Sequence, residues 1–373
     1  MKSFQAKEVI QQLCAYAGIT LNGSDPADIQ VHNEDLYERV LKGGSLALGE
    51  SYMDGWWDCP ALDQFFDKLL RARLPQKVKS NWKLLWPVIQ ARVFNLQSRS
   101  RAFQVGEQHY DIGNDLYQAM LDTNMLYTCG YWRQAQNLDE AQIAKMDLVC
   151  RKIQLEEGMS VLELGCGWGS FARYAAEKYG ARVTGVTVSK EQVKLGQEMC
   201  RGLPVDITLE DYRNVSGTYD RVVSIGVMEH VGYRNYRTYM KTVDRTLKDD
   251  GIAFFHTIGG NTSNFDGDAW LHRYIFPNGM LPSIAQLGKA MEGMFIMEDW
   301  HNFGPDYDKT LMAWHERFER AWPELKNTYG DRFYRMWHYY LMCCAGGFRA
   351  RNCQLWQVVM TKPASRQPDC RIC

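Results

Sequence analysis

Apolar residues in the first hundred positions recur at the three- and four-residue spacing of amphipathic helices. This pattern predicts short helices at residues 3–17, 33–42 and 62–72. A Gly- and Trp-rich stretch, GSLALGESYMDGWWDCP, is predicted to link the last two helices. The pattern therefore indicates a small helical N-terminal domain, which we place at residues 1–100.

From about residue 160 the pattern changes, and short apolar runs alternate with segments of helical periodicity. Alternation of strands and helices is typical of a parallel, doubly wound sheet. We therefore predict an α/β domain over residues 101–373, with a seven-stranded, mostly parallel, doubly wound sheet. Its strands are expected at 161–164, 181–187, 205–210, 219–226, 251–258, 294–300 and 354–361.

The stretch VLELGCGWGSFARYAAEKYG, residues 161–180, reads as a strand, a glycine turn and a helix. Such a turn lets the backbone approach a ligand closely at a helix N-terminus. A dinucleotide site is disfavoured, because it calls for G-x-G-x-x-G and an acidic residue about 20 positions later. Here the second strand ends at Thr187 instead. The pattern acidic-x-G-x-G-x-G, beginning at Glu163, resembles the first motif of S-adenosylmethionine (SAM) methyltransferases.

Composition narrows the class of protein further. The chain is 46% hydrophobic and 23% charged, with a formal net charge of −1, which argues against nucleic acid as its main partner. We expect no export signal and no membrane span, since no apolar run reaches the required length. The eleven cysteines are odd in number and show no repeated spacing, so we expect free thiols, a cytoplasmic location and no metal site.

Eight further segments make the resemblance to methyltransferases more specific. In chain order they are HYDIGNDLY, MLYTCGYW, GVTVSKEQ, LEDYRN, VSIGVMEHVG, HTIG, YIFPNGMLPS and GFRARNCQLWQVV. Together they resemble the cyclopropane-fatty-acyl-phospholipid synthase family, from about residue 8 to residue 362. The resemblance implies methyl transfer from SAM to a cis double bond of an unsaturated phospholipid acyl chain. Loss of a proton from the new methyl group then closes a cyclopropane ring.

The resemblance also implies two sets of site residues. Family members take the proton with a bicarbonate ion, and the matching positions here are Cys129, Glu229, His256, Ile258 and Tyr307. The implied SAM contacts are Tyr127, Thr128, Gly165, Gly167, Gly169, Thr187, Gln192, Asp211 and Tyr212. Glu229 and His256 are expected just beyond the fourth and fifth strands, at the carboxyl edge where such sheets bind ligands. Taken alone, Cys129 and His256 have an alternative interpretation as ordinary core residues.

Cys344, in MCCAGGFRAR, matches a cysteine of the family that has been discussed as catalytic. We include it in the catalytic set on that resemblance. Methylation of an alkene has no obvious step that needs a thiolate, so packing beneath the pocket is the alternative interpretation.

Residues 71–101 carry eight basic side chains and no acidic one, among Trp82, Trp86, Val93 and Phe94. Basic and aromatic residues together are typical of segments that dock on anionic lipid. We therefore expect peripheral contact with the inner membrane surface through this segment. Separately, we expect a homodimer. A solvated basic face is the alternative.

Two other functions remain open at this stage. One is a SAM methyltransferase that acts on a small polar acceptor or makes methyl-branched lipid. The other is a catalytically silent lipid-binding protein with the same fold.

Overall fold

The computed structural model describes residues 3–74, 113–265 and 267–372. Their contacts form two compact units. The first unit contains the described residues of 1–120, 267–277 and 311–352. The second unit contains the described residues of 121–266, 278–310 and 353–373. The boundary predicted at residue 100 falls outside the described residues and stays a prediction.

Among the described residues the α-helices are, in chain order, α1 Ser3–Tyr16, α2 Leu36–Met53, α3 Leu62–Arg71, α4 Asn114–Met120, α5 Leu138–Lys152, α6 Ser170–Tyr179, α7 Lys190–Met199, α8 Met228–Val231, α9 Tyr236–Thr246, α10 Ala269–Tyr274, α11 Ile284–Met291 and α12 Pro305–Arg349. The strands are β1 Gln30–Val31, β2 Trp57–Asp58, β3 Ser160–Leu164, β4 Arg182–Thr187, β5 Val205–Leu209, β6 Tyr219–Ile225, β7 Leu247–Gly260, β8 Ile296–Asn302 and β9 Cys353–Thr361.

The first unit is helical, with one short antiparallel ladder between β1 and β2. The predicted helices at 3–17 and 62–72 are confirmed by α1 and α3. The prediction that residues 44–60 form a link is wrong for the first half of that stretch. Helix α2 continues through a kink at Gly44 (φ 59°) to Met53. Burial of Ala47, Tyr52 and Met53 offsets the poor helix propensity of the glycines.

The second unit is built on a seven-stranded sheet in the order β5-β4-β3-β6-β7-β9-β8. The five strands β3 to β7 pair in parallel, and β9 lies antiparallel between β7 and β8. All seven predicted strands are confirmed, with β7 extending further at both ends than predicted.

Helices cover both faces of this sheet, because successive strand residues point to opposite sides. Leu162 and Leu164 of β3 share one core with Tyr239 and Met240 of α9. Val161 of β3 joins a second core with residues of α5 and α6. The sheet is therefore buried on both sides, as parallel sheets usually are.

The chain order reverses between β3 and β6. β4 and β5 lie on one side of β3, and β6 and β7 lie on the other. Ligands of open α/β sheets bind at the carboxyl ends of the strands beside such a reversal. The glycine turn after β3 and helix α8 after β6 both begin at this edge. Among the described helices, none is both long and apolar enough to cross a bilayer.

Candidate active site

The turn after β3 depends on three glycines with positive φ. The φ angles of Gly165, Gly167 and Gly169 are 76°, 54° and 78°. A Cβ atom at Gly165 would lie 2.4 Å from Val227, and one at Gly169 would lie 2.5 Å from Ile207. A Cβ atom at Gly167 would meet nothing within 4 Å. The outer glycines therefore permit packing inside the unit, whereas Gly167 borders open space at the start of α6.

Two buried ionisable side chains lie in this region. Glu163, the last residue but one of β3, is 3% exposed, and burial raises the pKa of its carboxyl to about 8. Lys145 of α5 is fully buried, and burial lowers the pKa of its ammonium to about 8. The opposite charge of each partly offsets the effect of burial on the other. Sequence reasoning missed Lys145, because nothing in the helical pattern of α5 distinguishes it from a surface lysine.

Lys145 fixes Thr128, one of the predicted SAM contacts. Lys145 Nζ donates to Thr128 Oγ1 over 2.7 Å, and Gln142 Nε2 donates to the Thr128 carbonyl oxygen over 2.8 Å. A Cβ atom at Gly226, just after β6, would lie 2.8 Å from Thr128 Cγ2. Thr128 thus lies against the turn after β6, at the predicted edge of the sheet. The preceding Tyr127 is half-buried.

The turn after β4 brings together two further predicted SAM contacts. Thr187 ends β4 and is 6% exposed. Its hydroxyl donates to Gln192 Oε1 over 2.6 Å. Gln192 lies in the first turn of α7, whose N-cap is Ser189. The capped turn therefore holds the Gln192 amide at the end of β4.

Asp211 and Tyr212 follow β5 at the same edge. Arg213 donates to both Asp211 carboxylate oxygens, over 2.8 and 2.7 Å. These hydrogen bonds hold the pKa of Asp211 down to about 2. The Tyr212 ring packs against Tyr239, with ring centroids 4.8 Å apart. Both side chains are thereby held in fixed positions, with the carboxylate ionised.

Glu229, in the short helix α8, is held by the backbone of β7. Its Oε1 accepts a hydrogen bond of 2.6 Å from the Ile258 amide. Its Oε2 is buried and has no hydrogen-bond partner among the described residues. Burial raises the pKa of Glu229 to about 7. The structure thus brings together the predicted pair Glu229 and Ile258, and the amide of Ile258 orients the carboxyl group.

His256 lies on β7 two residues before Ile258 and is 1% exposed. Burial lowers the pKa of its imidazole well below the usual value, so the ring is neutral. Gln357 Nε2 lies 3.4 Å from His256 Nδ1. In this amide orientation Gln357 donates to Nδ1, which leaves the ring proton on Nε2. Nε2 is buried and has no partner among the described residues.

Aromatic rings surround His256 on one side. The Phe303 ring lies 6.0 Å from that of His256, 5.3 Å from Tyr131 and 4.9 Å from His301. Burial also lowers the pKa of His301, to about 4. Aromatic rings therefore face His256 on this side, while the positive charges of Lys145 and Lys152 also help to lower the pKa of its imidazole. Sequence reasoning did not single out these rings, because they come from separate parts of the chain.

Cys129 is fully buried, and burial raises the pKa of its thiol well above the usual value. The thiol donates to the Gly130 carbonyl oxygen over 3.1 Å, and Thr310 Oγ1 lies 3.8 Å from Sγ. Thr310 also accepts hydrogen bonds from the Gly130 amide and the Trp132 indole. Tyr307, buried one turn before Thr310 in α12, completes the predicted base-site set. The segment after Cys129 is thus tied to the first turns of α12.

Cys344 belongs to the first unit, whereas the other predicted site residues belong to the second. It lies half-buried in α12. The neighbouring Cys343 donates to the Tyr340 carbonyl oxygen over 3.3 Å. The role of Cys344 stays a prediction.

Solved structures share this fold. Coclaurine N-methyltransferase bound to N-methylheliamine and SAH superposes with a TM-score of 0.66 at 23% identity, covering 86% of this chain and 100% of that one. At this identity the likeness concerns the fold alone. Mycolic acid cyclopropane synthase CmaA1, complexed with SAH and CTAB, has a TM-score of 0.63 at 31% identity, covering 68% of this chain and 96% of that one. The fold and the glycine turn define a SAM-dependent methyltransferase.

Sequence comparison identifies the family. The family model described as mycolic acid cyclopropane synthetase matches residues 97–358. The cyclopropane-fatty-acyl-phospholipid synthase of Escherichia coli (strain K12) is 54% identical over 354 residues, which are 95% of this chain and 93% of that protein. The chain belongs to the cyclopropane-fatty-acyl-phospholipid synthase family.

Proposed function

We propose that this enzyme transfers the methyl group of SAM to the cis double bond of an unsaturated phospholipid acyl chain and closes a cyclopropane ring. We further propose that a bicarbonate ion serves as the base. The observation that carries the proposal is a set of two buried acid–base groups near the carboxyl ends of β6 and β7, the carboxyl of Glu229 and the neutral imidazole of His256. Each has a buried polar atom, Glu229 Oε2 and His256 Nε2, that has no hydrogen-bond partner within the described part of the chain. Burial shifts the pKa of each toward its uncharged form.

The residues of this edge fit SAM. The open space beside Gly167 admits a ligand against the turn, and the N-terminus of α6 favours the carboxylate of its methionine part. Thr187 and Gln192 offer a hydroxyl and an amide for the ribose. Asp211 and Tyr212 offer a carboxylate and a ring for the adenine. Tyr127 and Thr128 would line the other side, with Thr128 positioned by Lys145.

The residues around Glu229 also fit a small oxyanion. His256 Nε2–H is a donor with no partner among the described residues, and protonated Glu229 adds an O–H donor at Oε2. The hydroxyl of Tyr307 and the thiol of Cys129 would complete the set. When bound, SAM supplies the methyl group and bicarbonate accepts the proton. Glu229 and His256 would orient that ion without adding charge of their own.

Neutral side chains suit a reaction in which positive charge develops on the lipid. Aromatic faces attract cations, and an uncharged wall does not repel them. Tyr131, His301 and Phe303 form such a wall beside His256. Phe303 is buried and Tyr131 and His301 are half-buried, so this wall would help to keep water away from the reacting carbon atoms. A site for a small polar acceptor has no need of this apolar wall.

Lipid mass spectrometry tests the reaction. The protein is incubated with SAM and vesicles of monounsaturated phospholipid. A gain of one CH2 with loss of the double bond supports the proposal. A gain with the alkene retained favours methyl-branched lipid, and SAM binding without any turnover favours a silent lipid-binding protein.

Variants of the base site test the role of bicarbonate. Glu229→Ala and His256→Ala are expected to leave SAM affinity nearly intact and to lower turnover at least ~100-fold, as for loss of a group that handles a proton. His230→Ala, next to Glu229 but exposed, is the control and should turn over normally. Normal turnover by either site variant in bicarbonate-containing buffer contradicts the proposed base site.

We also propose that residues 71–101 dock the enzyme on anionic membranes, and that it forms a homodimer. All but the first four residues of this segment lie outside the described residues, so the proposal rests on charge. Each basic residue near an anionic surface contributes about 1 kcal/mol, screened by salt. We expect binding to vesicles containing phosphatidylglycerol, weaker binding to zwitterionic ones, and loss as salt rises.

A triple charge reversal within the segment tests the docking surface. The docking variant replaces Lys77, Lys79 and Lys83 by Glu. The control, with an equal change of charge at exposed positions, replaces Lys178, Lys241 and Lys326 by Glu. Only the docking variant should lose vesicle binding, and both should bind SAM normally. If both variants co-sediment equally with anionic vesicles, this segment is not the docking face.

The proposed homodimer is tested separately by the molecular mass of the protein in sedimentation velocity.

A further inference from the structure

Helix α12 folds back on itself. Gly330 has a non-helical conformation (φ 74°, ψ 166°), which divides α12 into two arms. Tyr334 of the second arm donates to Glu319 of the first over 2.7 Å, and His338 reaches His315. As the residue number falls in one arm it rises in the other, so the two arms are antiparallel. His338 lies about two turns after Gly330 and His315 about four turns before it.

Three potential ligand atoms meet between the arms. His315 Nε2 lies 2.9 Å from His338 Nδ1. Glu319 Oε1 lies 3.2 Å from His315 Nε2 and 3.5 Å from His338 Nδ1. Zinc binds nitrogen and oxygen ligands at about 2.0–2.1 Å, so two ligands of a tetrahedral site are about 3.3 Å apart. The observed triangle has this size.

We propose that His315, Glu319 and His338 form a binding site for a divalent transition-metal ion, with Zn²⁺ the best match to its ligands. Two imidazoles and one carboxylate are a ligand set that zinc proteins use. The side chains are 18%, 37% and 17% exposed, so the site is reachable from solvent. A water molecule can fill the fourth position.

The chemistry of the triangle favours a cation at its centre. Glu319 can only accept hydrogen bonds, and each neutral imidazole carries one N–H for its two nitrogens. One N–H cannot serve all three close contacts, so lone pairs face one another in at least one of them. A metal ion between the three atoms would bind all of these lone pairs at once.

The surroundings hold the three ligands in place. The Tyr334 hydroxyl fixes the Glu319 carboxylate, an interaction typical of the second shell of a metal site. The His338 ring stacks on Tyr334 at 5.8 Å and on Tyr52 at 6.2 Å, with interplanar angles of 26° and 17°. Because the ligands come from both arms, a bound ion would clamp the bend of α12. None of the three ligands belongs to the residues predicted for catalysis or for SAM binding.

Metal titration of the full chain tests the proposal. The protein is stripped with a chelator and then titrated with Zn²⁺ against a coloured competitor. The parent is compared with His315→Ala/His338→Ala, with Glu319→Gln and with the control His32→Ala, which removes an exposed histidine also paired with a carboxylate. The parent and the control should bind one equivalent more than the double variant. Glu319→Gln should bind that equivalent at least ~10-fold more weakly.

Two further readouts separate this site from the free cysteines, which also bind zinc. Co²⁺ bound by nitrogen and oxygen ligands shows ligand-field absorption without a thiolate charge-transfer band. The Co²⁺ equivalent that is lost in the double variant and bound more weakly by Glu319→Gln should have that spectrum. Zn²⁺ should also raise the melting temperature of the parent more than that of Glu319→Gln. Equal Zn²⁺ stoichiometry and affinity in the parent and Glu319→Gln overturn the proposal, even where the double variant fails to fold.

Discussion

Replacing Glu229 by Gln should make the protein more stable at alkaline pH. Glu229 is buried in the second unit, and one of its oxygens has no partner among the described residues. Glutamine has nearly the same shape and can still accept the hydrogen bond from the Ile258 amide through its own Oε1. The substitution therefore removes the ionisation and keeps the hydrogen bond that positions the side chain.

The magnitude follows from the pKa of the buried carboxyl. Burial raises this pKa from 4.5 to about 7. Between these values the folded state binds more protons than the unfolded state, so the free energy of unfolding falls as the pH rises. Each pKa unit corresponds to about 1.4 kcal/mol, which gives a loss of about 3 kcal/mol once the pH is above 7. In Glu229→Gln this loss is absent.

Urea denaturation of the parent and Glu229→Gln, at several pH values from about 4 to about 9, measures the effect. The difference in the free energy of unfolding should be constant below pH 4.5, should grow in favour of the variant between pH 4.5 and 7, and should level off above. Glu157→Gln, at an exposed position, controls for the general effect of removing a carboxylate. A pH-independent difference between parent and Glu229→Gln refutes the raised pKa and with it the neutral base site.

Three further substitutions test other parts of the site. Gly167→Val should lower the SAM affinity measured by calorimetry at least ~10-fold, because the new side chain enters the open space beside the turn. An unchanged affinity would show that SAM binds elsewhere. Lys145→Met should weaken SAM binding ~10-fold, since it frees Thr128. It should also lower the melting temperature, because Asp122 and Glu163 lose a buried opposite charge. An unchanged SAM affinity contradicts a positioning role. Cys344→Ser should keep measurable turnover, whereas complete loss in a folded protein would restore a thiolate nucleophile.

The sheet could be predicted from the sequence because its strands are buried on both faces and read as apolar runs between helices. The position of β9 between β7 and β8 could not, since strand order depends on contacts between residues far apart in the chain. The end of α2 was misjudged for a related reason. Glycines at 43, 44 and 49 predict a break, yet Gly49 gives Trp270 room, since a Cβ atom there would lie 2.4 Å from that ring.

The candidate site was predictable where function and local sequence coincide. Three of the predicted features stand at or just after the carboxyl end of a strand: the glycine turn, Thr187 and Asp211. Their place in the sequence therefore suffices to predict that they lie at the ligand-binding edge. The role of Lys145 could not be predicted from the sequence, because its contact with Thr128 joins two segments that share no motif. The same holds for His338, which meets His315 only because α12 bends at Gly330.

Burial connects the acid–base groups of the site with the reaction proposed for it. An ionised carboxylate or a protonated imidazole beside a developing lipid cation would bind water and compete with the substrate. The apolar surroundings that exclude water also raise the pKa of Glu229 to about 7 and lower that of His256, so burial favours the uncharged form of both groups. An oxyanion would then be the main negative charge facing the cation. The two pKa shifts and the aromatic wall are thus consequences of the same packing around β7.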